Sequence, residues 1–204
     1  MAAITSYATL KAEVAEWIKR SDLTSVIPGL IQFAEGRIYR DLRIACMETA
    51  LSATMSSGAI AVPAGYVELK NAYIVGSSAQ PLLRRDAEWI YGNYQTRSAS
   101  GVPKYIGREG SNFIFGPYPD SDYSVAGIYY KRLDALSDAN TTNWFITNAP
   151  ELLLFATLCE AEPYMVNDPR LVVWERKYAQ VKDALQRQED NEAFSGSVLA
   201  SSPR

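Results

Sequence analysis

The sequence predicts an α+β protein: N- and C-terminal helical hairpins form a four-helix bundle, with an antiparallel β region inserted between them. Three observations predict it. Apolar residues recur at steps of three and four over residues 1–43 and again over 149–192. Between them, over residues 44–144, the apolar period shortens to two and turn residues punctuate the chain. Neither helical pair can bury its stripe alone, so packing one hairpin on the other is the economical solution. Residues 1–192 read as one domain, and 193–204 as a flexible tail.

Thr5 or Ser6 can cap the first helix, whose stripe is Tyr7, Leu10, Val14, Trp17 and Ile18. A second helix starts near Ser25, tolerates Pro28 in its first turn, and carries Leu30, Ile31, Ala34, Ile38 and Leu42 on one face. Strands are expected at Ile44–Met55, Ala59–Val62, Tyr66–Val75, Pro81–Arg85, Lys104–Arg108, Asn112–Phe115 and Ser124–Arg132. Ala59 to Tyr66 reads as a short hairpin, and Asp86 to Tyr94 as a short helix interrupting the sheet. Asn148 is expected to cap the next helix, with Pro150 near its first position. There Leu152, Leu153, Phe155, Ala156 and Cys159 are apolar almost all round, so this helix is expected to be the buried one. Pro163 stops or kinks it. Asp168-Pro169 opens the longest helix, with Leu171, Trp174, Tyr178, Val181 and Leu185 in its stripe.

Composition narrows the chemistry. The 204 residues include no histidine and two cysteines, Cys46 and Cys159. Ser-His-Asp, Cys-His, H-E-x-x-H and zinc-finger arrangements are therefore excluded, and neither a metal site nor a cofactor is expected. Two cysteines form no disulfide framework, which favours a reducing environment such as the cytoplasm. The net charge of −3 lacks the clustered basic surplus that dense phosphate binding needs. Nothing reads as a targeting signal, and the stretch Leu152 to Cys159 is too short to cross a bilayer. No phosphate-cradling glycine motif or nucleophile elbow occurs. Paired carboxylates remain as histidine-free hydrolytic chemistry, with Glu35 and Asp41 or Glu160 and Glu162 as candidates. Glu160 and Glu162 are two apart, on different helical faces, and cannot flank one bond directly.

Interaction surfaces are the stronger theme. Arg37, Arg40 and Arg43 recur at steps of three near a helix C-terminus, where cations complement the helix dipole. The same row could pair with acids on a neighbouring chain. Thirteen tyrosines and four tryptophans include the clusters Trp89-Tyr91-Tyr94 and Tyr129-Tyr130. Adjacent strand residues point to opposite faces, so Tyr129 and Tyr130 cannot both serve one core. Trp89, Tyr91, Tyr129 and Tyr130, with the arginine row, are the candidate inter-subunit contacts. In the tail, Phe194, Val198 and Leu199 are spaced anchors, followed by the terminal Arg204.

A set of short motifs then carries a resemblance. They are Tyr7-Ala8-Thr9-Leu10, Glu16-Trp17-Ile18, Ile27-Pro28, Ala34-Glu35, Arg40-Asp41-Leu42-Arg43, Val62-Pro63-Ala64-Gly65-Tyr66-Val67-Glu68-Leu69, Tyr129-Tyr130-Lys131, Asn143-Trp144 and Asn148-Ala149-Pro150-Glu151-Leu152. In their order and spacing the chain resembles the head-to-tail adaptor (connector, or head-completion) proteins of tailed bacteriophages. The resemblance implies a non-enzymatic structural protein of the virion, assembled in the host cytoplasm and located at the head-tail interface. It implies a ring of copies, typically twelve, with a portal protein on one side and a tail or nozzle protein on the other. Its C-terminal segment would dock on the portal, making Phe194, Val198, Leu199 and Arg204 the expected docking residues. DNA would pass through the ring without specific binding, since an acidic lumen offers it no clustered cations. No membrane is involved. The competing expectation is a carboxylate-dependent, wall-degrading hydrolase on a phage particle, and a third is a plain helical-bundle binding module.

Overall fold

Local chemistry sets where the first helix begins and ends. The Ser6 hydroxyl accepts from the Thr9 amide while the Thr9 hydroxyl accepts from the Ser6 amide, a reciprocal cap. Lys19, in the left-handed region at φ 59°, closes it. The computed structural model describes residues 3–194 apart from 56, 77, 96–99 and 166–167, and their side chains except those of 21, 193 and 194. Its first elements are α1 (Tyr7–Ile18), α2 (Ile27–Asp41), β1 (Glu48–Thr54), β2 (Ala59–Ala61), β3 (Tyr66–Ile74), β4 (Gln80–Pro81) and β5 (Leu83–Arg84). Then come α3 (Ala87–Asn93), β6 (Tyr105–Glu109), β7 (Asn112–Gly116), β8 (Ser124–Lys131), α4 (Trp144–Asn148), α5 (Pro150–Glu160) and α6 (Arg170–Phe194). They divide into two units, Met1–Cys46 with Leu133–Arg204, and Met47–Arg132.

The expected four-helix bundle does not form. Among the described residues the protein is α+β, with six helices and two four-stranded sheets, and the inserted β region is present. In the helical unit α1, α2, α4 and α6 each pack on α5. A bundle helix buries one stripe and keeps a polar face to water. Helix α5 buries Leu152, Leu153, Leu154, Ala156, Leu158 and Cys159, so it has no such face and sits as a hub. Its buried Thr157 hydroxyl donates to the Leu153 carbonyl at 2.7 Å, which leaves no polar atom unsatisfied there. Asn148 is not the cap of α5: it ends α4, and its side-chain amide donates to the Trp144 carbonyl. The capping side chain lies five residues earlier, where Asn143 accepts from the Ile146 amide and starts α4.

Helix α6 spans 25 residues, about 37 Å at 1.5 Å per residue. Of its expected stripe only Trp174 and Tyr178 are buried, and Leu171, Val181 and Leu185 are half-covered.

The β unit holds two sheets, ordered β1-β8-β3-β4 and β2-β7-β6-β5, antiparallel except for the β5–β6 pair. Their inner faces share one core that includes Leu51, Leu69, Ile74, Ile106, Phe113 and Phe115. Ala59 to Tyr66 is not a hairpin: β2 pairs with β7, whereas β3 pairs with β8 and β4 in the other sheet. The run Pro81–Arg85 likewise divides. The Leu82 amide donates to Ala72 in one sheet and the next amide, Leu83, donates to Lys104 beside the other. Gly127 of β8 faces a register shift in β3, where an added Cβ would collide with the Asn71 carbonyl and come within 2.8 Å of Ala72.

Candidate interaction surfaces

The arginine row divides into three roles. The Arg37 guanidinium donates to both carboxylate oxygens of Glu175, at 3.0 and 2.7 Å, and lies 3.6 Å from Glu160. It also covers the Tyr178 ring at 4.5 Å, and the Tyr178 hydroxyl donates to Asp41 at 2.7 Å. One side chain thus ties α2 to α5 and α6. The planar fork matches a carboxylate in a way lysine cannot. That fork holds the Glu175 carboxyl below the usual carboxylate range. Burial, and then the Asp41 carboxylate, raise Tyr178 above its ordinary value. Arg40 is exposed. Arg43 donates to the carbonyls of Tyr39 and Leu42 at 2.8 and 2.7 Å, capping the C-terminal end of α2 as the dipole argument expects.

Three of the four carboxylates considered for hydrolysis are engaged with different partners, and the fourth is exposed. Glu35, only 4% exposed, accepts from the Leu136 amide at 3.1 Å and the Asn143 side-chain amide at 3.2 Å. It anchors the segment leading into α4, and burial pushes its carboxyl up to about 7 against the Leu136 hydrogen bond. Asp41 faces Tyr178, Glu160 faces Arg37, and Glu162 is exposed in a short 3₁₀ turn, Glu162–Tyr164. Among the described residues no group of three or more acidic or thiol side chains is arranged to hold a metal ion. The Cys46 and Cys159 thiols are unpaired, and burial pushes both up to about 12.

In the β unit Trp89 packs edge-on against Tyr105 at 4.7 Å, beneath the Arg85 guanidinium. Tyr91 is about half exposed and its hydroxyl donates to Glu109 at 2.9 Å. Both tyrosine and acid line a cleft of about 360 Å³, together with Tyr94, Tyr118 and Asn112. Tyr129 is a core residue stacked 5.9 Å from Tyr66, while Tyr130 is half-buried on the opposite face with Lys70 5.9 Å from its ring. Of the expected contact tyrosines, Tyr129 therefore has almost no surface to offer. The side chain of Phe194 and residues Val198, Leu199 and Arg204 lie outside the described residues. Sequence reasoning passed over Phe33, Val172 and Val173, which are 61%, 74% and 54% exposed. Their signal was available: each is a large apolar residue outside the stripe of its own helix.

A family model described as SU10 adaptor protein matches residues 5–200. The chain belongs to that family. The family is one of phage head-tail adaptors, so the adaptor is a structural component of a virion that meets other head and tail proteins. No curated protein matches it. Among the described residues of the adaptor no helix is long and apolar enough to cross a membrane.

Proposed function

We propose that the adaptor forms a ring, of twelve copies, between the portal and the tail or nozzle, and that this ring continues the DNA channel. The observation that carries the reading is the family match over residues 5–200, nearly the whole chain. Both units then serve one adaptor domain over residues 1–192, with no catalytic role for Glu35, Asp41 or Glu160. Arg40 of the helical unit and Trp89, Tyr91 and Tyr130 of the β unit contribute contacts between copies, and Arg37 and Arg43 hold α2, which bears Arg40. Each copy adds a charge of −3, so the ring carries twelve times that charge and repels DNA rather than holding it. Phe194, Val198, Leu199 and Arg204 dock on the portal, binding offsetting the entropy of ordering the tail. Assembly takes place in the host cytoplasm and needs no membrane.

The mass of portal assemblies, measured with and without the adaptor, tests this reading. A portal assembly heavier by about twelve adaptor chains is expected, and a version truncated after Asn191 should fold yet leave the portal mass unchanged. An unchanged portal mass with the full chain would contradict the ring. Docking of the truncated chain would remove the tail from the account.

A further inference from the structure

Two contacts set the register of α2 against α6. Arg37 meets Glu175 and Asp41 meets Tyr178, so both residue numbers rise together and the helices run side by side in the same direction. One turn back, Phe33 of α2 and Val172 of α6 stand at the same level, and both are exposed, as is Val173. Three large apolar side chains are thus left uncovered at one end of the seam, with the cations Arg40, Arg176 and Lys177 exposed beside them.

The far end of α6 is the electrostatic opposite. Asp190 and Glu192 are exposed, and their hydrogen-bond partners are the neutral amides of Gln186 and Gln188. Among the described residues Arg176 and Lys177 have no ion-pair partner. This polarity does not help the helix itself. A helix dipole favours anions at its N-terminus and cations at its C-terminus, and α6 ends on acids. Within one chain the pattern has no use, and between two chains it is complementary. Beside these acids, Ala184, Arg187, Gln188, Asn191 and Glu192 line a shallow depression, largely apolar at its surface despite Arg187, which can receive apolar side chains.

We propose that the Phe33–Val172–Val173 patch, rimmed by Arg40, Arg176 and Lys177, docks on the acidic C-terminal half of α6 in a second copy of this chain. The contact is head-to-tail, using different surfaces on the two copies, and a contact of that kind closes into a ring when its rotation allows. Its place in a ring rests on the reading above, whereas the pairwise contact stands without it. Side-by-side α6 helices in the same register would instead set like charges together.

The test uses the full chain, alone and mixed with its portal. Cysteines introduced as Val172→Cys and Ala184→Cys in one chain should form disulfides between copies on oxidation; Cys159 is buried, and Cys46, which is half-buried, is replaced by Cys46→Ser so that only the introduced thiols can react. Adding Arg176→Glu with Lys177→Glu should lower the cross-linked yield about tenfold, as should adding Asp190→Lys with Glu192→Lys instead. Combining all four charge changes should restore it. Circular dichroism checks that each variant is folded. Loss and rescue support the contact whether or not the portal carries a ring. Rings on the portal with no cross-link, or with charge variants that cross-link like the parent, overturn this contact and leave the ring standing. Neither ring nor cross-link overturns both. A cross-link or charge sensitivity confined to the portal would assign the patch to the portal and overturn the contact between copies.

Discussion

The helical unit and the β unit are held together by different means. Every buried polar or charged side chain among the described residues (Glu13, Glu35 and Thr157) belongs to the helical unit, and so does the Arg37 network. The β unit's core is apolar apart from tyrosine hydroxyls, its strands are joined by ladder hydrogen bonds, and the ion pairs Lys70–Glu48 and Arg84–Glu68 lie outside that core. Apolar burial is indifferent to pH and non-directional. Charged pairs have fixed partners and a pH range. The helical unit is therefore the part whose stability responds to pH and to single charge deletions. It is also the part with uncovered apolar side chains on two helices.

The largest way to break that comparison is to open a cavity at the hub. Leu153→Ala removes a fully buried side chain and should cost about 2–5 kcal/mol in urea unfolding. A cost near zero would mean that α5 is not the centre of the helical core.

Next comes the pH response. The folded protein holds the Glu35 proton to about pH 7, whereas the unfolded carboxyl titrates near 4.5. Stability from that proton is complete below 4.5 and lost as pH rises through 7, a loss of up to about 3 kcal/mol. Glu35→Gln should flatten this slope between pH 5 and 8 in thermal unfolding. A variant that keeps the full slope would place the titrating group elsewhere.

Smaller again is Arg37→Ala, expected to cost about 1–2 kcal/mol because Glu175 and Glu160 lose their cation while Glu175 stays partly hydrated. The loss should shrink as pH falls below the carboxylate range, since Glu175 titrates low only while Arg37 is present. A loss that stays constant in acid would assign the effect to packing over Tyr178. The smallest effect belongs to the β unit: Tyr91→Phe removes an exposed hydrogen bond and should change stability by only a few tenths of a kcal/mol. A change above about 1 kcal/mol would show that polar contacts matter there as much as in the helical unit.

Much of the fold was legible in local pattern, and what was missed is non-local. Period and turn chemistry located most strands to within a few residues, and the all-round apolar surface of α5 marked it as the buried helix. That observation also contradicts a bundle, since a bundle leaves each helix a wet face. Alternation tells which way a side chain points but not which strand lies alongside. Hence β2 and β3 read as a hairpin, and Pro81–Arg85 as one strand, although their hydrogen bonds run to different sheets. The arginine row was visible as spacing, yet the spacing could not reveal Glu175, 138 positions away. Phe33, Val172 and Val173 stood outside their helices' stripes in the sequence, but only the packing showed that nothing among the described residues covers them.

The central claim is a ring of adaptors on a portal. Electron microscopy of the full chain mixed with its portal tests it most directly. The account predicts an added layer of density stacked on the portal, with rotational symmetry and about twelve copies. Portal particles without added density, beside adaptor that stays separate at saturating concentration, would contradict it.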